Sequence, residues 1–88
     1  MALGHCAATL RFYAGLNDHL PPLFRQRDMT YRFDSRATLR DGIDALGVPP
    51  ADVALIVVNG NPADLERVLE DGDRVAVYPE FQSSVLIS

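Results

Sequence analysis

The side chains able to perform catalysis or bind a metal are few and scattered in this sequence. His5 and Cys6 lie near the start of the chain, and His19 lies in a polar turn. A metal site needs several ligands at close spacing, and no further Cys, Asp or Glu has such a spacing around His5. A nucleophilic cysteine needs a base beside it, and nothing places one next to Cys6. We therefore predict surface histidines, an unreactive thiol, and neither a metal nor a cofactor.

Asp71 and Asp73 are the carboxylates that most resemble a catalytic pair, but they flank Gly72 in a turn-forming segment. Glycine accepts a positive φ, and aspartate side chains bond nearby backbone amides, so a turn explains all three residues. Metal-dependent phosphodiester cleavage needs carboxylates that converge on one site, and none do so here. No Ser, His and Asp spacing and no phosphate-binding loop stands out. The sequence therefore predicts a protein that is not an enzyme and has no nuclease chemistry of its own.

Arginine and tyrosine form a third set of side chains, which could bind a partner. They alternate with apolar residues, so the predicted strands place them on the sheet face away from the helix. The set comprises Arg11, Tyr13, Arg32, Arg74 and Tyr78, with Thr9 and Thr30 beside them. Tyr and Arg are enriched at protein interfaces, and arginine beside tyrosine can also stack on unpaired bases. The structural alternative is a solvated face with cross-strand Tyr and Thr pairs.

The composition limits the kind of partner and the cellular location. The 88 residues make one domain, and their net charge of −4 argues against a free-standing nucleic-acid binder, since phosphate contacts need a basic surface. We therefore expect a protein partner rather than RNA. One cysteine excludes an intrachain disulfide, and no apolar run approaches the roughly 18 residues of a membrane span. With no export signal, the prediction is a cytoplasmic protein without a membrane partner.

Five short segments have the patterns of β-strands, and turn-forming residues separate them. Alternating apolar and polar residues, or a continuous β-branched run, are typical of strands. The segments are residues 7–14, 29–34, 53–58, 61–63 and 74–78. We expect the first two to pair antiparallel and the third to be well buried. Pro62 restricts the fourth to a sheet edge, and Pro79 ends the fifth.

One segment has the pattern of an amphipathic helix. Thr38 is a candidate N-cap, and Asp41 three residues later completes an acidic form of the capping box. The apolar face consists of Leu39, Ile43 and Leu46, and Gly47 ends the helix. Gly42 inside the helix predicts close contact with a neighbouring strand. Residues 16–20 and 64–70 are predicted to form only helical turns. The fold class is therefore α+β, a four- to five-stranded mixed sheet packed on one main helix.

The order of these elements resembles the β-grasp proteins of the ThiS and MoaD sulfur-carrier group, which share the ubiquitin fold. The matching motifs are Val58-Asn59-Gly60 and Leu69-x-Asp71-Gly72-Asp73-Arg74-Val75. A closer resemblance is to the ubiquitin-like domain that precedes Mut-seven-type C-terminal RNase domains of the PIN-like class. It rests on the stretch from Leu10 to Pro22, on Tyr31-Arg32-Phe33-Asp34 and on Val77-Tyr78-Pro79-Glu80-Phe81. The resemblance covers residues 9–84 and implies parallel first and last strands at the sheet centre.

The end of the chain departs from the sulfur-carrier pattern. Proteins of that group end in a diglycine whose carboxylate is adenylated and becomes a thiocarboxylate, whereas Ser83-Ser84 takes that place here and residues 85–88 follow. We therefore predict a flexible leader (1–6), a β-grasp domain (7–82), and a tail or start of a linker (83–88). The predicted function is a non-catalytic interaction or accessory module associated with an RNase domain, in the same chain or another. A ThiS/MoaD-like sulfur carrier is the alternative, and an antitoxin-like or regulatory small protein is a third.

Overall fold

The computed structural model describes residues 6–34 and 36–80, which form a five-stranded mixed sheet and one α-helix. The strands are β1 (Cys6–Phe12), β2 (Met29–Phe33), β3 (Val53–Val58), β4 (Asn61–Ala63) and β5 (Arg74–Pro79), and the helix is α1 (Leu39–Ala45). Short 3₁₀ helices lie at Ala14–His19, Pro22–Phe24 and Pro50–Asp52. The strands lie side by side in the order β2-β1-β5-β3-β4. The predicted α+β architecture is confirmed.

β1 and β5 are parallel neighbours at the centre of the sheet, although they come from opposite ends of the sequence. Their register pairs Leu10 with Val75 and Phe12 with Val77. β2 pairs antiparallel with β1, while β3 pairs antiparallel with both β5 and β4. These pairings confirm the predicted antiparallel first two strands and the parallel first and last strands.

The core lies between α1 and the sheet face that α1 covers. Leu39 and Ile43 of α1 are completely buried there, opposite alternate residues of β1 and β5. The largest fully buried side chains are Phe12, Leu10, Leu16, Leu39, Ile43, Val48 and Val77. Burial of one such side chain contributes about 1.5–3 kcal/mol. Leu10 and Phe12 of β1 and Val77 of β5 therefore determine which side of these two strands faces outward.

The start of α1 has the predicted capping box. Thr38 Oγ1 accepts a hydrogen bond of 3.2 Å from the Asp41 amide, and Asp41 Oδ2 accepts one of 3.0 Å from the Thr38 amide. The Leu39 amide is satisfied from outside the helix, because it donates to the Arg67 carbonyl at 2.9 Å. The first amides of a helix have no acceptor within the helix. Here a side-chain cap and a neighbouring segment supply acceptors for them.

Residues 64–70, predicted as a helical turn, form a turn followed by extended chain. Val68 makes an isolated antiparallel bridge with Thr38, and the Leu69 amide donates to the Ala37 carbonyl at 2.8 Å. The prediction was wrong because the backbone of this segment bonds to the chain at the start of α1 instead of to itself.

Two strands also differ from their predictions. β1 begins at Cys6, which was assigned to the leader, and it ends at Phe12 because Ala14 has a φ of 53° and begins a 3₁₀ helix. β3 is not buried along its whole length. Leu55 is 44% exposed, because it points to the sheet face that α1 leaves uncovered, and the register with β5 shifts just before it.

Gly42 lies against Tyr31 of β2. A Cβ added at Gly42 would lie 3.1 Å from Tyr31 Cδ2 and 3.3 Å from Cε2. Carbon atoms in favourable contact are about 3.5–4.0 Å apart. The Tyr31 ring in turn stacks on Phe33, with centroids 5.7 Å apart. The predicted close approach of the helix to a strand is confirmed.

Two of the predictions concern the ends of the chain. Residues 1–5 of the predicted leader and the predicted tail at 83–88 lie outside the described residues. Among the helices in residues 6–34 and 36–80, none is long and apolar enough to cross a bilayer.

Candidate partner-binding face

Four of the five residues predicted to bind a partner lie together on the uncovered sheet face. They are Arg11, Tyr13, Arg74 and Tyr78, and we call them the Arg/Tyr face. The parallel register sets Arg11 opposite Ala76, which brings Tyr13 beside Tyr78. The two tyrosine rings stack with centroids 4.7 Å apart and planes 11° apart. Arg11 Cζ lies 5.7 Å from the centroid of the Tyr13 ring, within the range of a cation–π contact.

Arg32, the fifth predicted residue, lies apart from the other four. It is exposed on β2 and pairs with Ala7, two outward-facing positions along β1 from Arg11. That separation is about 13 Å along an extended strand. Arg32 borders a different depression, together with Asp34 and Asp41. The structure therefore brings together four of the predicted residues, and a binding role for Arg32 stays a prediction.

A depression of about 410 Å³ adjoins the tyrosine stack. Its lining includes Thr9, Arg11, Asp28, Asn59 and Arg74. Asp28 lies between the two arginines, with Oδ1 3.7 Å from Arg11 Nη1 and Oδ2 3.7 Å from Arg74 Nη2. The side chains of Arg11, Asp28 and Arg74 are 40%, 49% and 70% exposed. All three charged groups are therefore accessible to a partner.

Asp28 was not singled out from the sequence, where it belongs to a polar loop. The β1–β2 register pairs Leu10 with Met29. The residue before Met29 therefore comes beside Arg11, the residue after Leu10. An acidic residue directly before a strand that pairs with an arginine-bearing strand was the signal that could have identified it.

An apolar strip extends the Arg/Tyr face across the sheet. Leu55 pairs with Tyr78 and Val57 pairs with Ala76 in the β3–β5 register. Leu55 is one of the few large apolar side chains that are well exposed among the described residues. The surface thus combines aromatic and aliphatic groups with two arginines at one end.

Hydrogen bonds between two turns position the rim of the depression. Asn59 and Gly60 have φ of 51° and 89°, which is the pattern of a type I′ turn between β3 and β4. The Asn59 side chain donates from Nδ2 to Asp73 Oδ1 and accepts from the Arg74 amide at Oδ1, both at 2.9 Å. This turn therefore fixes the backbone of Arg74 at the start of β5.

Asp73 is a buried carboxylate with a full set of partners. Its Oδ2 accepts hydrogen bonds of 2.8 Å from Arg67 Nη1 and from the Glu70 amide. Burial by itself would raise the pKa of Asp73, but the hydrogen bonds from Arg67, the Glu70 amide and Asn59 outweigh it and hold that pKa below its usual value. Asp71 Oδ1 accepts from the Ala7 amide at 2.8 Å. Asp73 thus bonds a nearby amide of the turn, as predicted, whereas Asp71 bonds β1 instead of the turn.

Asn17 is a buried polar residue that sequence analysis passed over. Its Nδ2 donates to the carbonyls of Phe12 at 3.1 Å and Ala14 at 3.0 Å, and its Oδ1 accepts from the Gln26 amide at 2.7 Å. These bonds join the end of β1 to the loop that carries Asp28. A lone asparagine in a segment with buried leucines on both sides was the available signal.

The histidine and cysteine side chains do not assemble into a reactive group in the part of the chain that the structure describes. His19 Nε2 lies 2.9 Å from Asp52 Oδ2, and Cys6 is a free, half-buried thiol. Within residues 6–34 and 36–80, no three His, Cys, Asp or Glu side chains lie close enough together to hold a metal ion. His5 lies outside the described residues.

Known proteins with similar sequences or structures agree with this architecture. A molybdopterin synthase sulfur carrier subunit of Phaeosphaeria nodorum is 32% identical over 79 residues, which cover 88% of this chain and 82% of that protein. Two crystal structures of small archaeal modifier protein 1 from Haloferax volcanii superpose with TM-scores of 0.65 and 0.66 at 20% identity. They cover 86% of this chain, and the matched parts are 97% and 99% of those chains.

The structural likenesses confirm the ubiquitin-like β-grasp fold. The sequence match is more specific, because residues 5–85 fit the family described as Mut7-C ubiquitin. This match includes every strand of the sheet and all four residues of the Arg/Tyr face. We conclude that the chain belongs to the Mut7-C ubiquitin family.

Proposed function

We propose that this chain is a non-catalytic module that binds a protein through the Arg/Tyr face, and that its partner is a PIN-like RNase domain of the Mut-seven type. The partner would lie in the same chain or in another. One observation carries the proposal: the Tyr13–Tyr78 stack lies on the uncovered sheet face, with Arg11 Cζ 5.7 Å from the centroid of the Tyr13 ring. In this arrangement the RNase domain performs cleavage, and the ubiquitin-like domain supplies a docking surface.

The physical chemistry of the face supports protein binding. Tyrosine and arginine are enriched at interface hot spots. Tyrosine offers a large contact area with few rotatable bonds, and arginine offers a planar guanidinium with five donors that also stacks on aromatic rings. Tyr13 and Tyr78 are already stacked and half-buried, so little side-chain freedom remains to be lost on binding. The surface also lies on the two central strands of the sheet, which makes it a rigid platform.

An NMR titration tests this proposal. The isotope-labelled chain is titrated with a purified Mut-seven-type RNase domain, and calorimetry measures the Kd. We expect chemical-shift changes centred on Arg11, Tyr13, Arg74 and Tyr78, with little change on α1. No binding, or changes restricted to the α1 side, would contradict the proposal.

A matched pair of variants controls for nonspecific effects. Tyr78→Ala removes half of the aromatic stack and should weaken binding at least about tenfold, as truncation of a hot-spot tyrosine does. Arg36→Ala removes an exposed charge away from the Arg/Tyr face and should leave the Kd unchanged. If the two variants bind equally well, the Arg/Tyr face is not the docking surface.

A sulfur carrier is the second candidate, and the relative named as a molybdopterin synthase sulfur carrier subunit favours it. Against it, Ser83-Ser84 takes the place of the terminal diglycine, and this stretch lies outside the described residues. Intact-protein mass spectrometry after incubation with ATP and a ThiS/MoaD-type activating enzyme decides between the candidates. A C-terminal adenylate, or a gain of about 16 Da from exchange of oxygen for sulfur, would establish carriage. An unchanged mass of the protein would argue against sulfur carriage and favour the interaction module.

A further inference from the structure

We propose that Asp28 occupies, in the free domain, the position that a carboxylate of the protein partner takes between Arg11 and Arg74. The partner segment would then be acidic, with an apolar residue next to its carboxylate. This inference rests on the proposed docking function of the Arg/Tyr face, and it adds the chemistry of the bound segment. Asp28 would act as an internal competitor that is displaced on binding.

The contacts of Asp28 are longer than those of the other arginine–carboxylate pairs. Both of its carboxylate oxygens lie 3.7 Å from an arginine nitrogen. By contrast, Arg67 Nη1 lies 2.8 Å from Asp73 Oδ2. A charge-assisted hydrogen bond between arginine and a carboxylate is normally about 2.7–2.9 Å long. Asp28 is therefore near both guanidinium groups without making a close hydrogen bond to either.

Arg11 retains unused donor capacity. Its Nε is buried and has no hydrogen-bond partner among the described residues. A guanidinium carries five N–H donors in a planar fork that fits a carboxylate with two parallel bonds. A small rotation of Arg11 toward an incoming carboxylate would satisfy donors that Asp28 does not reach.

The charge balance of the depression favours an anionic guest. Arg11 and Arg74 provide two positive charges, and Asp28 is the one acidic residue in the lining of the depression that the structure describes. The other lining side chains are neutral. Displacement of Asp28 would therefore make the guanidinium groups of both Arg11 and Arg74 available to bind one carboxylate of the partner.

The neighbouring surface indicates what should accompany the carboxylate. The Tyr13–Tyr78 stack and the exposed Leu55 lie along the sheet next to the depression. An aliphatic or aromatic side chain one or two positions from the carboxylate would pack there. A protein segment supplies this combination, whereas a nucleic acid would bring a phosphate backbone to a chain of net charge −4.

Peptide titrations followed by NMR test the inference directly. The probe is a capped hexapeptide of sequence Glu-Asp-Leu-Phe-Asp-Glu, and the matched neutral peptide is Gln-Asn-Leu-Phe-Asn-Gln. We expect the acidic peptide to bind more tightly and to shift the resonances of Arg11, Arg74 and Tyr78. Equal binding of the two peptides would overturn the proposal. Tighter binding of an oligouridine at the same residues would instead identify a nucleic-acid surface.

Removal of the internal competitor is the sharpest variant. Asp28→Asn should raise the affinity for the acidic peptide about two- to fivefold, the range expected from loss of exposed ion pairs. Asp44→Asn makes the same change in net charge on the exposed side of α1 and should have no such effect. Arg11→Gln and Arg74→Gln should each weaken binding. An unchanged or lower affinity of D28N would show that Asp28 is not a competitor.

The same variants separate this inference from the proposed function. If the RNase domain does not bind but the acidic peptide behaves as expected, the named partner is wrong and the carboxylate site stands. If the RNase domain binds and D28N leaves its Kd unchanged, the docking function stands and the displacement of Asp28 is refuted.

Discussion

Asn59 donates a hydrogen bond of 2.9 Å from Nδ2 to Oδ1 of Asp73, and this bond joins the two sequence motifs of the chain. Asn59 belongs to the turn after β3, whereas Asp73 immediately precedes β5. The same Asn59 side chain accepts a hydrogen bond from the Arg74 amide. The motifs Val58-Asn59-Gly60 and Asp71-Gly72-Asp73 are therefore parts of one structural unit, which positions the arginine at the rim of the depression.

Asp73 should make stability depend on pH. Its pKa is lower in the folded state than in the unfolded state, so the unfolded chain takes up the proton first as the pH falls. The stabilising contribution is present above about pH 4 and is lost as the pH falls through the lower folded-state pKa. Urea unfolding of the wild type and of Asp73→Asn should differ by about 1–3 kcal/mol at neutral pH.

That difference between wild type and Asp73→Asn should shrink as the pH falls below about 4, where the unfolded chain takes up the proton, and should be lost once the pH is below the lower folded-state pKa of Asp73. Asp44→Asn on the exposed side of α1 is the control and should show a small difference at every pH. A difference for Asp73→Asn that stays constant down to acid pH would show that the charge of Asp73 is not what stabilises the fold.

Asn59 contributes to stability in two separable ways. Its side chain makes hydrogen bonds, and asparagine adopts the positive φ of 51° at this position with little strain. Asn59→Gly keeps the backbone conformation accessible and loses the bonds, which should cost about 1–3 kcal/mol. Asn59→Ala loses the same bonds and adds backbone strain, so it should be less stable than the glycine variant by about 0.5–1 kcal/mol. Equal stability of the two variants in chemical denaturation would argue against strain at this turn.

Asn17 should be essential for the connection between β1 and β2. Asn17→Ala leaves two carbonyls and the Gln26 amide without their partner, and we expect a loss of about 2–3 kcal/mol in the free energy of unfolding. Asp18→Ala, at the exposed neighbouring position, should change stability by less than about 0.5 kcal/mol. Similar losses for the two variants would mean that the bonds of Asn17 contribute little.

Gly42 should tolerate a methyl group only when Tyr31 is removed. Alanine is favoured over glycine in a helix by about 1 kcal/mol, but overpacking against the Tyr31 ring costs about 1–3 kcal/mol. We expect Gly42→Ala to lower the free energy of unfolding by about 1 kcal/mol in the wild type. In the Tyr31→Ala background the same change should be stabilising, and the double-mutant cycle measures this reversal. A stabilising effect in both backgrounds would show that the ring moves aside without cost.

The two arginines of the Arg/Tyr face should serve binding rather than stability. Arg11→Ala combined with Arg74→Ala removes the exposed ion pairs with Asp28 and the contact of Arg11 with the Tyr13 ring, so stability should change by no more than about 2 kcal/mol in thermal unfolding. Affinity for the RNase domain should fall at least about tenfold. The control is the double variant Arg36→Ala with Arg40→Ala. It also removes two positive charges, but at exposed positions outside the Arg/Tyr face, and it should retain full affinity. Unchanged affinity of the first double variant would contradict the proposed docking surface.

Local patterns in the sequence correctly predicted most of the fold. Thr38 and Asp41 form the expected capping box, and the alternation around Val75 and Val77 yields a strand with a buried side. These predictions succeeded because caps and strand alternation depend on residues only a few positions apart. The failures came where distant contacts compete with local preference, as in residues 64–70, whose backbone bonds to the start of α1.

By itself, the sequence determined most of the element types, the outward position of the arginines and tyrosines predicted to bind a partner, and the β-grasp resemblance. Only the tertiary structure decided which of those side chains are neighbours. The parallel register of β1 and β5 stacks Tyr13 on Tyr78, and the β1–β2 register brings Asp28 to Arg11 while it carries Arg32 away. Register between strands distant in sequence depends on how their buried sides pack in a common core, and no local pattern contains that information.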